Sequence, residues 1–315
     1  MWPICAVSEI PPIIIVAGPT ASGKSALAMA LAQRLDGVVI NADSMQVYKD
    51  LHILTARPSI TDEASIDHRL YGVMDAAERC SAGRWRELAI QAITTAHANG
   101  KRAIVAGGTG FYLEALTQGL SPIPDVPPEI LANATAAWER LGPVPFAEQL
   151  AHKDPESITR IPPTDRQRLC RAWAVLETTG RTLTDWHREP VESAPFHATK
   201  VWLNPPRKTL YERCDSRLLG MIDQGALQEV DALLARTLDP ALPAMKALGM
   251  PELAAHLRGA LPLDQAITSA QQATRRFAKR QLTWFRHRMP DALQIDAQFS
   301  ESLLGEIISF IRKND

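Results

Sequence analysis

Four short apolar segments are distributed along the chain, at 13–17, 38–41, 102–106 and 201–203. They are nearly continuous runs rich in valine and isoleucine, without the alternation of a half-exposed strand. Such runs are typical of strands buried on both faces of a parallel sheet. Segments with helical spacing separate them, so the pattern predicts an α/β fold with a parallel sheet.

Proline-rich sequence interrupts this order at 121–128, where four of eight residues are proline. From 129 to about 198 apolar residues recur at helical spacing, as in Leu169, Trp173 and Leu176, and no buried strand is indicated. We therefore predict a core of residues 1–121 and 199–315, with a helical insertion over 122–198. Within the core, the pattern predicts a helix over 84–99, a long helix from 207 to about 234 and a basic helix at 274–288.

The first strand leads directly into a phosphate-binding pattern of two glycines followed by lysine and serine. The glycines let successive N–H groups turn toward an anion, and the next helix contributes its positive end. The lysine adds a full charge, and the serine offers a hydroxyl to Mg²⁺. The alternative, a glycine-rich turn with a surface lysine, fits the flanking strand and helix poorly. We expect a P-loop NTPase-like core that binds a diphosphate or triphosphate through Gly18, Pro19, Thr20, Ala21, Ser22, Gly23, Lys24 and Ser25.

Polar residues follow two further strands at the points where they end. Asp43 and Ser44 come after the second strand, and Thr109 lies in Gly-Gly-Thr-Gly after the third. The carboxyl ends of parallel strands face the ligand crevice of an open α/β sheet, which makes these residues catalytic candidates. A helix cap or turn explains Asp43 and Ser44 equally well from local sequence alone.

Two segments concentrate positive charge, although the 315-residue chain has a formal net charge of only −1. Residues 166–171 contain three arginines, and residues 274–288 contain six lysines and arginines with no acid. In the second segment Arg275, Lys279 and Arg286 share one helical face, with aromatic residues on another. Cations beside aromatic side chains suit a nucleic-acid backbone, whereas ordinary amphipathic helices are the simpler explanation. We expect the aromatics to face inward and the cations outward.

Cysteine usage and the N-terminal sequence indicate a cytoplasmic protein. The chain has four scattered cysteines without a Cys-x-x-Cys pair, which we interpret as reduced thiols and not as a zinc site: Cys5, Cys80, Cys170 and Cys214. The N-terminus has neither a basic segment nor a long apolar run, so no secretion signal is expected. No stretch has the length of a membrane span, and we expect no membrane partner.

Together, the motifs GPTASGKS, ADSMQVY, VAGGTGFYLEAL, DRQRLCRAW and TRRFAKRQLTWFRHR, in this order, resemble the bacterial tRNA dimethylallyltransferase family, also called tRNA isopentenyltransferases. The resemblance extends over most of the chain, from about residue 13 to 288. It implies transfer of a dimethylallyl group from dimethylallyl diphosphate to the exocyclic N6 amine of adenosine 37 in the tRNA anticodon stem-loop. The phosphate loop would then hold a prenyl diphosphate, with Mg²⁺ as cofactor on Ser25, in a protein expected to be a monomer.

The resemblance also implies roles for individual residues. Asp43 matches the general base, while Thr109 and Arg217 join Lys24 in stabilising the leaving diphosphate. The family's tRNA contacts match residues in three segments: Asp43, Ser44, Met45 and Gln46; Gln167, Arg168, Leu169, Cys170 and Arg171; and Thr274, Arg275, Arg276, Phe277, Ala278, Lys279, Arg280 and Gln281. The insertion and the basic helix would thus clamp the anticodon stem-loop.

Two positions depart from the family pattern. Many relatives have Gly-Tyr and a basic or polar residue where this chain has Gly249-Met250-Pro251, and many have glycine in place of Leu54. The first departure removes an aromatic ring and a polar group from a segment expected near the RNA. Neither departure involves the expected catalytic residues.

Three other functions use the same phosphate loop: a small-molecule kinase with ATP, a prenyltransferase for free adenine nucleotides, and a P-loop protein that binds RNA without catalysis. A kinase could use the helical insertion as a lid, but it leaves the basic helix at 274–288 without a role. The nucleotide prenyltransferase leaves both basic segments unexplained. Asp43 and Thr109 at two strand ends argue for chemistry rather than binding alone.

Overall fold

The structure is a computed structural model that describes residues 12–191 and 196–315. Cys5 and the rest of the N-terminal segment therefore lie outside the described residues. The strands are β1 Ile13–Ala17, β2 Gly37–Asn41, β3 His68–Arg69, β4 Arg102–Gly107, β5 Ala198–Leu203 and β6 Leu293–Ile295. The α-helices are α1 Lys24–Leu35, α2 Ile60–Ser65, α3 Ala82–Ala98, α4 Gly110–Gln118, α5 Pro128–Leu141, α6 Pro143–Ala151, α7 Pro155–Arg160, α8 Arg166–Thr179, α9 Leu183–His187, α10 Arg207–Asp223, α11 Ala226–Ala235, α12 Met250–Leu257, α13 Leu263–Arg288 and α14 Leu304–Asn314.

The strands form one parallel sheet in the order β3-β2-β4-β1-β5-β6, which confirms the predicted fold class. The central strand β1 is buried throughout because it pairs with β4 on one side and β5 on the other. Its side chains alternate between two cores, since successive residues of a strand point to opposite faces. Ile13 and Ile15 pack in one core, whereas Ile14 and Val16 pack in the other.

Helices cover both faces of the sheet, which explains why the strands are apolar without alternation. Side chains of α3, α4 and α10–α13 contribute to the core that holds Ile15. Side chains of α1 and α14 contribute to the core that holds Ile14. Because β1, β2 and β4 run in one direction, the segments after Ala17, Asn41 and Gly107 leave the sheet at the same edge.

Residues 118–191 form a second compact unit, and the first comprises residues 12–117 and 196–315. The second unit consists of helices α5–α9 around its own core, which includes Phe146, Leu150 and Leu169. The insertion predicted over 122–198 covers most of this unit. Its predicted end is too late, because Ala198 is already the first residue of β5.

Other elements differ from the predicted ones for local reasons. The helix predicted over 207–234 is two helices, because Gly225 adopts a left-handed conformation with φ of 102° at the start of α11. The basic helix begins at Leu263 rather than at 274. Strands β3 and β6 have only two and three residues, which is too short for a periodic signal. Among the described helices, none combines the length and apolar composition that a bilayer span requires.

Candidate active site

The phosphate loop connects β1 to α1 and ends at Gly23, the N-cap residue of that helix. Gly23 has φ of 91° and supplies no side-chain cap, so the first N–H groups of α1 are available to an anion. A Cβ at this position would lie 2.6 Å from Gln298 Nε2 and 3.2 Å from Phe299 Cβ. Glycine is therefore required both by the backbone conformation and by the close approach of the segment after β6.

A cavity of about 740 Å³ opens beside this loop. It combines two loop residues with the first two residues of α1, with Ala56, and with one face of α10. The α10 residues recur at helical spacing, and only Arg217 among them was predicted. The spacing within the helix is the sequence signal that could have identified the others. The cavity is lined by Ala21, Gly23, Lys24, Ser25, Ala56, Thr209, Glu212, Arg213, Ser216 and Arg217.

Of the three cations that line this cavity, Lys24 and Arg217 are desolvated, whereas Arg213 is exposed, as is the acid Glu212. Burial lowers the pKa of the Lys24 ammonium to about 8, with Asp43 acting in the opposite direction and Arg217 adding to the decrease. Burial also lowers the pKa of the Arg217 guanidinium, which donates long hydrogen bonds of 3.4 Å to Thr20 Oγ1 and to the Thr55 carbonyl. Two partly desolvated cations with few partners form a site that a polyanion such as a diphosphate would neutralise.

Asp43 follows β2 in a tight turn that its own side chain stabilises. Asp43 Oδ1 accepts a hydrogen bond from the Met45 N–H at 2.9 Å, and the Asp43 N–H donates to Asn41 Oδ1 at 2.8 Å. Both the turn role and the predicted catalytic role are compatible with this geometry, because Oδ2 remains outside the turn. Asp43 also acts electrostatically on the cavity, since it raises the pKa of both Lys24 and Arg217.

Gly108 lies where the three strand ends converge. A Cβ at Gly108 would lie 2.4 Å from Gln281 Nε2, 3.4 Å from the Gly18 carbonyl oxygen and 3.6 Å from Asp43 Oδ2. Thr109 joins the same region: its Oγ1 accepts from the Ser44 N–H at 2.9 Å and donates to Ser44 Oγ at 3.3 Å. The structure thus brings together Asp43, Ser44 and Thr109, which the sequence placed at separate strand ends.

Gln281 connects the basic helix α13 to the region around Gly108, where the ends of β1, β2 and β4 meet. Its side-chain oxygen accepts from the Thr20 N–H at 2.9 Å, and its amide donates to the Gly108 carbonyl at 2.8 Å. Gln281 is only 6% exposed. Its predicted contact with tRNA is therefore not available to the side chain in this conformation, which instead joins the phosphate loop to the end of β4.

The basic helix α13 divides its predicted RNA contacts between core and surface. Ala278 is buried, and Arg275 is paired with Asp215 of α10 at 2.6 Å, which corrects the expectation that Arg275 is a free outward cation. Thr274 is half-buried and donates to the Ala270 carbonyl. The exposed residues are Arg276, Lys279 and Arg280. Phe277 is half-buried, with the Arg280 guanidinium 5.6 Å from its ring centre.

Helix α8 of the second unit shows the same division. Leu169 and Cys170 are buried in the core of that unit, so the expectation of RNA contacts from their side chains is corrected. Gln167 and Arg168 are exposed, and Arg168 is paired with Asp165 at 2.5 Å. Arg171 is half-buried, and burial lowers its pKa.

Gln46 and Met250 are also more buried than the sequence suggested. The Gln46 amide donates to the carbonyls of Thr55 and Ala56 at 2.9 and 3.0 Å. Met250 is buried in the core that contains Ile15. The departure from the family pattern at this position therefore changes core packing and does not remove a surface group. Leu54 is buried in the same core as Met250, and its Cδ2 lies 3.4 Å from the Cβ position that a side chain at Gly249 would occupy.

Among the described residues, no group of three or more His, Cys, Asp or Glu side chains is arranged so that it could hold a metal ion. Cys80, Cys170 and Cys214 are free thiols. Cys214 lies beneath the phosphate loop, 4.0 Å from the Thr20 carbonyl, and burial raises its pKa to about 11. It is therefore a protonated packing residue.

Comparison with known proteins gives consistent relationships. The IPP transferase family model matches residues 46–288. The tRNA dimethylallyltransferase of Rhodospirillum centenum is 52% identical over 287 residues, covering 90% of this chain and 91% of that protein. The corresponding protein of Rhodospirillum rubrum is 50% identical over 306 residues, covering 95% and 94%.

Solved structures show the same similarity over both units of the chain. The tRNA isopentenylpyrophosphate transferase of Bacillus halodurans has a TM-score of 0.71 and 29% identity, covering 96% of each chain. A eukaryotic dimethylallyltransferase acting on tRNA has a TM-score of 0.77 and 28% identity, covering 91% of this chain and 74% of that one.

The convergence at Gly108 generates a test by paired substitutions. Gly108→Ala should weaken diphosphate binding about tenfold or more, because its methyl group displaces the Gln281 amide that fixes Thr20, an effect on the scale of a disrupted buried network. In a Gln281→Ala background the same change should cost much less, since the nearest colliding atom is gone. Isothermal titration calorimetry with the unmodified protein, the two single variants and the double variant gives the coupling free energy between residues 108 and 281. Additive losses would contradict a contact between these two residues, and Gly305→Ala, where nothing lies within 4 Å of the Cβ position, is the matched control.

Proposed function

Because this chain is a member of the IPP transferase family of tRNA-modifying prenyltransferases, we propose that it transfers the dimethylallyl group of dimethylallyl diphosphate to the N6 amine of adenosine 37 in tRNA. The observation that carries the proposal is the position of Asp43, whose Oδ2 and the Gly18 carbonyl oxygen of the phosphate loop lie 3.6 and 3.4 Å from the same point, the Cβ position of Gly108. The charge of Asp43 also raises the pKa of Lys24 and Arg217. A carboxylate next to a diphosphate site suits an acceptor that loses a proton as the diphosphate leaves.

The proposed reaction is a single displacement. The adenine amine attacks C1 of the dimethylallyl group, the C1–O bond breaks, and its electron pair goes to the diphosphate oxygen. Asp43 Oδ2 takes the proton from the amine, because Oδ1 is engaged by the Met45 N–H. Lys24, Arg217 and the N–H groups at the start of α1 stabilise the charge that develops on the leaving group.

Thr109 has a different place in this scheme. Its hydroxyl is engaged on both sides by Ser44, so we propose that it fixes the turn that carries Asp43 and reaches the diphosphate only if that contact rearranges. The target base must leave its stack to reach the cavity, as enzymes that modify bases generally require.

A divalent metal fits the donor set. Ser25 lines the cavity beside Lys24 and offers one hydroxyl. Mg²⁺ commonly keeps several waters and takes the rest of its ligands from phosphate oxygens, so one protein oxygen is sufficient. We propose Ser25 as its protein ligand; when bound, the ion would neutralise part of the diphosphate charge.

Exposed residues on each unit are proposed as tRNA contacts: Gln167 and Arg168 on the second unit, and Arg276, Lys279 and Arg280 on the first. Phe277 is proposed to contact a base or ribose beside these cations. We propose further that the protein acts as a monomer in the cytoplasm, where its tRNA substrate is found. The boundaries of the tRNA-contacting insertion are proposed to be those of the second unit.

The function itself is tested by group transfer. The protein is incubated with dimethylallyl diphosphate labelled in the prenyl group, or with ATP labelled in the γ-phosphate, in the presence of tRNA or AMP. We expect prenyl label in tRNA only, at the adenosine next to the anticodon. Prenyl label in AMP, or phosphate label in any acceptor, would contradict the proposal and favour a nucleotide prenyltransferase or a kinase.

Asp43→Asn tests the general base. Asparagine keeps the oxygen that accepts from Met45, so the turn should persist, but it cannot take a proton. The single-turnover rate with preformed protein–tRNA complex should fall about 10²- to 10⁴-fold, the usual range for general-base assistance. Affinity for dimethylallyl diphosphate should change little. A rate within a few-fold of the unmodified enzyme would leave Asp43 with a turn role only.

Affinity for dimethylallyl diphosphate should depend on pH through Lys24. The ligand favours the protonated ammonium, whose pKa is about 8 in the free protein. Affinity measured by titration calorimetry without added metal should be constant from about pH 7, where the terminal phosphate is largely ionised, up to the pKa of Lys24, and should decrease above it. Lys24→Arg should remove the decrease, because the guanidinium stays charged throughout this range. An unchanged pH profile in this variant would contradict the assignment.

RNA affinity should depend on local cations. The double variant Lys279→Glu/Arg280→Glu should weaken tRNA binding and reduce the slope of log affinity against log salt by about one unit for each lost phosphate contact. Its matched control is Arg312→Glu/Lys313→Glu on α14, which changes net charge equally at two exposed positions. Equal effects of the two variants would mean that net charge, and not this surface, governs binding. Affinity for dimethylallyl diphosphate should be unaffected in both.

A further inference from the structure

Glu229 on α11 accepts three successive backbone hydrogen bonds from a turn on another part of the first unit. Its Oε2 accepts from the N–H groups of His52 and Ile53, both at 2.7 Å, and its Oε1 accepts from the N–H of Leu54 at 2.9 Å. Charged acceptors make hydrogen bonds about twice as strong as neutral ones. A single carboxylate therefore holds the beginning of this turn.

The turn from 51 to 57 has the hydrogen bonds of a single helical turn with a closed end. Arg57 N donates to the His52 carbonyl at 3.1 Å and Ala56 N donates to the Ile53 carbonyl at 2.9 Å, the pair of bonds that closes a Schellman motif. Ala56 has φ of 48°, in the left-handed region that non-glycine residues rarely adopt. External contacts are needed to keep this conformation, and Glu229 satisfies the N–H groups that a helical start leaves without partners.

The other end of the turn faces the candidate active site. The Thr55 carbonyl accepts from Arg217 Nη2 at 3.4 Å and from Gln46 Nε2 at 2.9 Å, and the Ala56 carbonyl accepts from Gln46 Nε2 at 3.0 Å. Ala56 itself lines the phosphate cavity. The position of the turn therefore determines the position of the backbone carbonyls that accept hydrogen bonds from Arg217 and Gln46.

We propose that Glu229 is a positioning residue for prenyl transfer, which acts through the 51–57 turn to orient Arg217 toward the diphosphate and to hold Gln46 in place. The inference rests on the proposed function in taking a diphosphate as the ligand. Glu229 is half-buried and lies on the opposite end of the turn from Arg217, so it acts on the ligand only through the backbone.

A double-mutant cycle on ligand affinity tests this role. Glu229→Gln keeps the shape of the side chain but turns an amide donor toward N–H groups, so the turn loses part of its support. Affinity for dimethylallyl diphosphate without tRNA should weaken about three- to tenfold, the scale of coupling between residues in one network. In an Arg217→Ala background the same change should cost less than twofold, while the loss of thermal stability stays the same in both backgrounds.

The stability comparison separates positioning from a merely structural role. If Glu229 supports only the fold, affinity falls equally with and without Arg217, and the proposal is wrong. Asp231→Asn, an exposed carboxylate on the same helix, should change neither quantity. Where Glu229→Gln does not fold, Glu229→Asp keeps the charge, shortens its reach and gives the same comparison.

Failure of the proposed function would look different. A wild-type protein that binds inorganic diphosphate but not dimethylallyl diphosphate would contradict the prenyl donor. The cycle could then be measured with inorganic diphosphate, which presents the same phosphates to Arg217. Hydrogen exchange of the amides of residues 52–54 should increase in Glu229→Gln in either case, and unchanged exchange would overturn the proposal.

Discussion

The side chain of Gln281 fixes the geometry on which the rest of the site depends. Its two hydrogen bonds join the Thr20 N–H of the phosphate loop to the Gly108 carbonyl at the end of β4. Because β4 lies between β1 and β2, a fixed distance between these two points also fixes Asp43 relative to the loop. An unsatisfied buried amide would be costly, so both bonds hold the helix and the strand ends in one arrangement.

The electrostatics of the site follow from that arrangement. Lys24 and Arg217 are drawn into a partly dry cavity in which Asp43 is the acid that raises the pKa of both. Around this cavity Lys24, Arg213 and Arg217 outnumber the acids Asp43 and Glu212, although the whole chain is nearly neutral. A ligand with several negative charges would balance this excess, and cations that are already in place favour both affinity and transition-state stabilisation.

The sequence was sufficient to predict the central strands, the glycine-containing connection between β1 and α1, and helical structure between residues 128 and 187, because each has a strong local pattern. It was insufficient where tertiary contacts decide the outcome. Arg275 looked like a free cation, but Asp215, 60 residues away in the chain, pairs with it. Met250 looked like a lost surface group, but it packs in the core that also contains Leu54. The face of α10 that lines the cavity carries residue types common in any helix. Their place in the site could not be predicted from the sequence, because it depends on how α10 packs against the loop.

The hydrogen bond between Thr20 and Gln281 joins residues 261 positions apart in the chain. During synthesis the phosphate loop, β2 and β4 leave the ribosome long before α13 exists, so the nascent chain carries the motif without the amide that completes it. Domains generally fold as units, N-terminal portions first, and contacts of such high sequence separation form late. Competence to bind a diphosphate should thus arise only near the end of translation, and an incomplete chain that retains the whole phosphate-loop motif would not bind the diphosphate ligand proposed above.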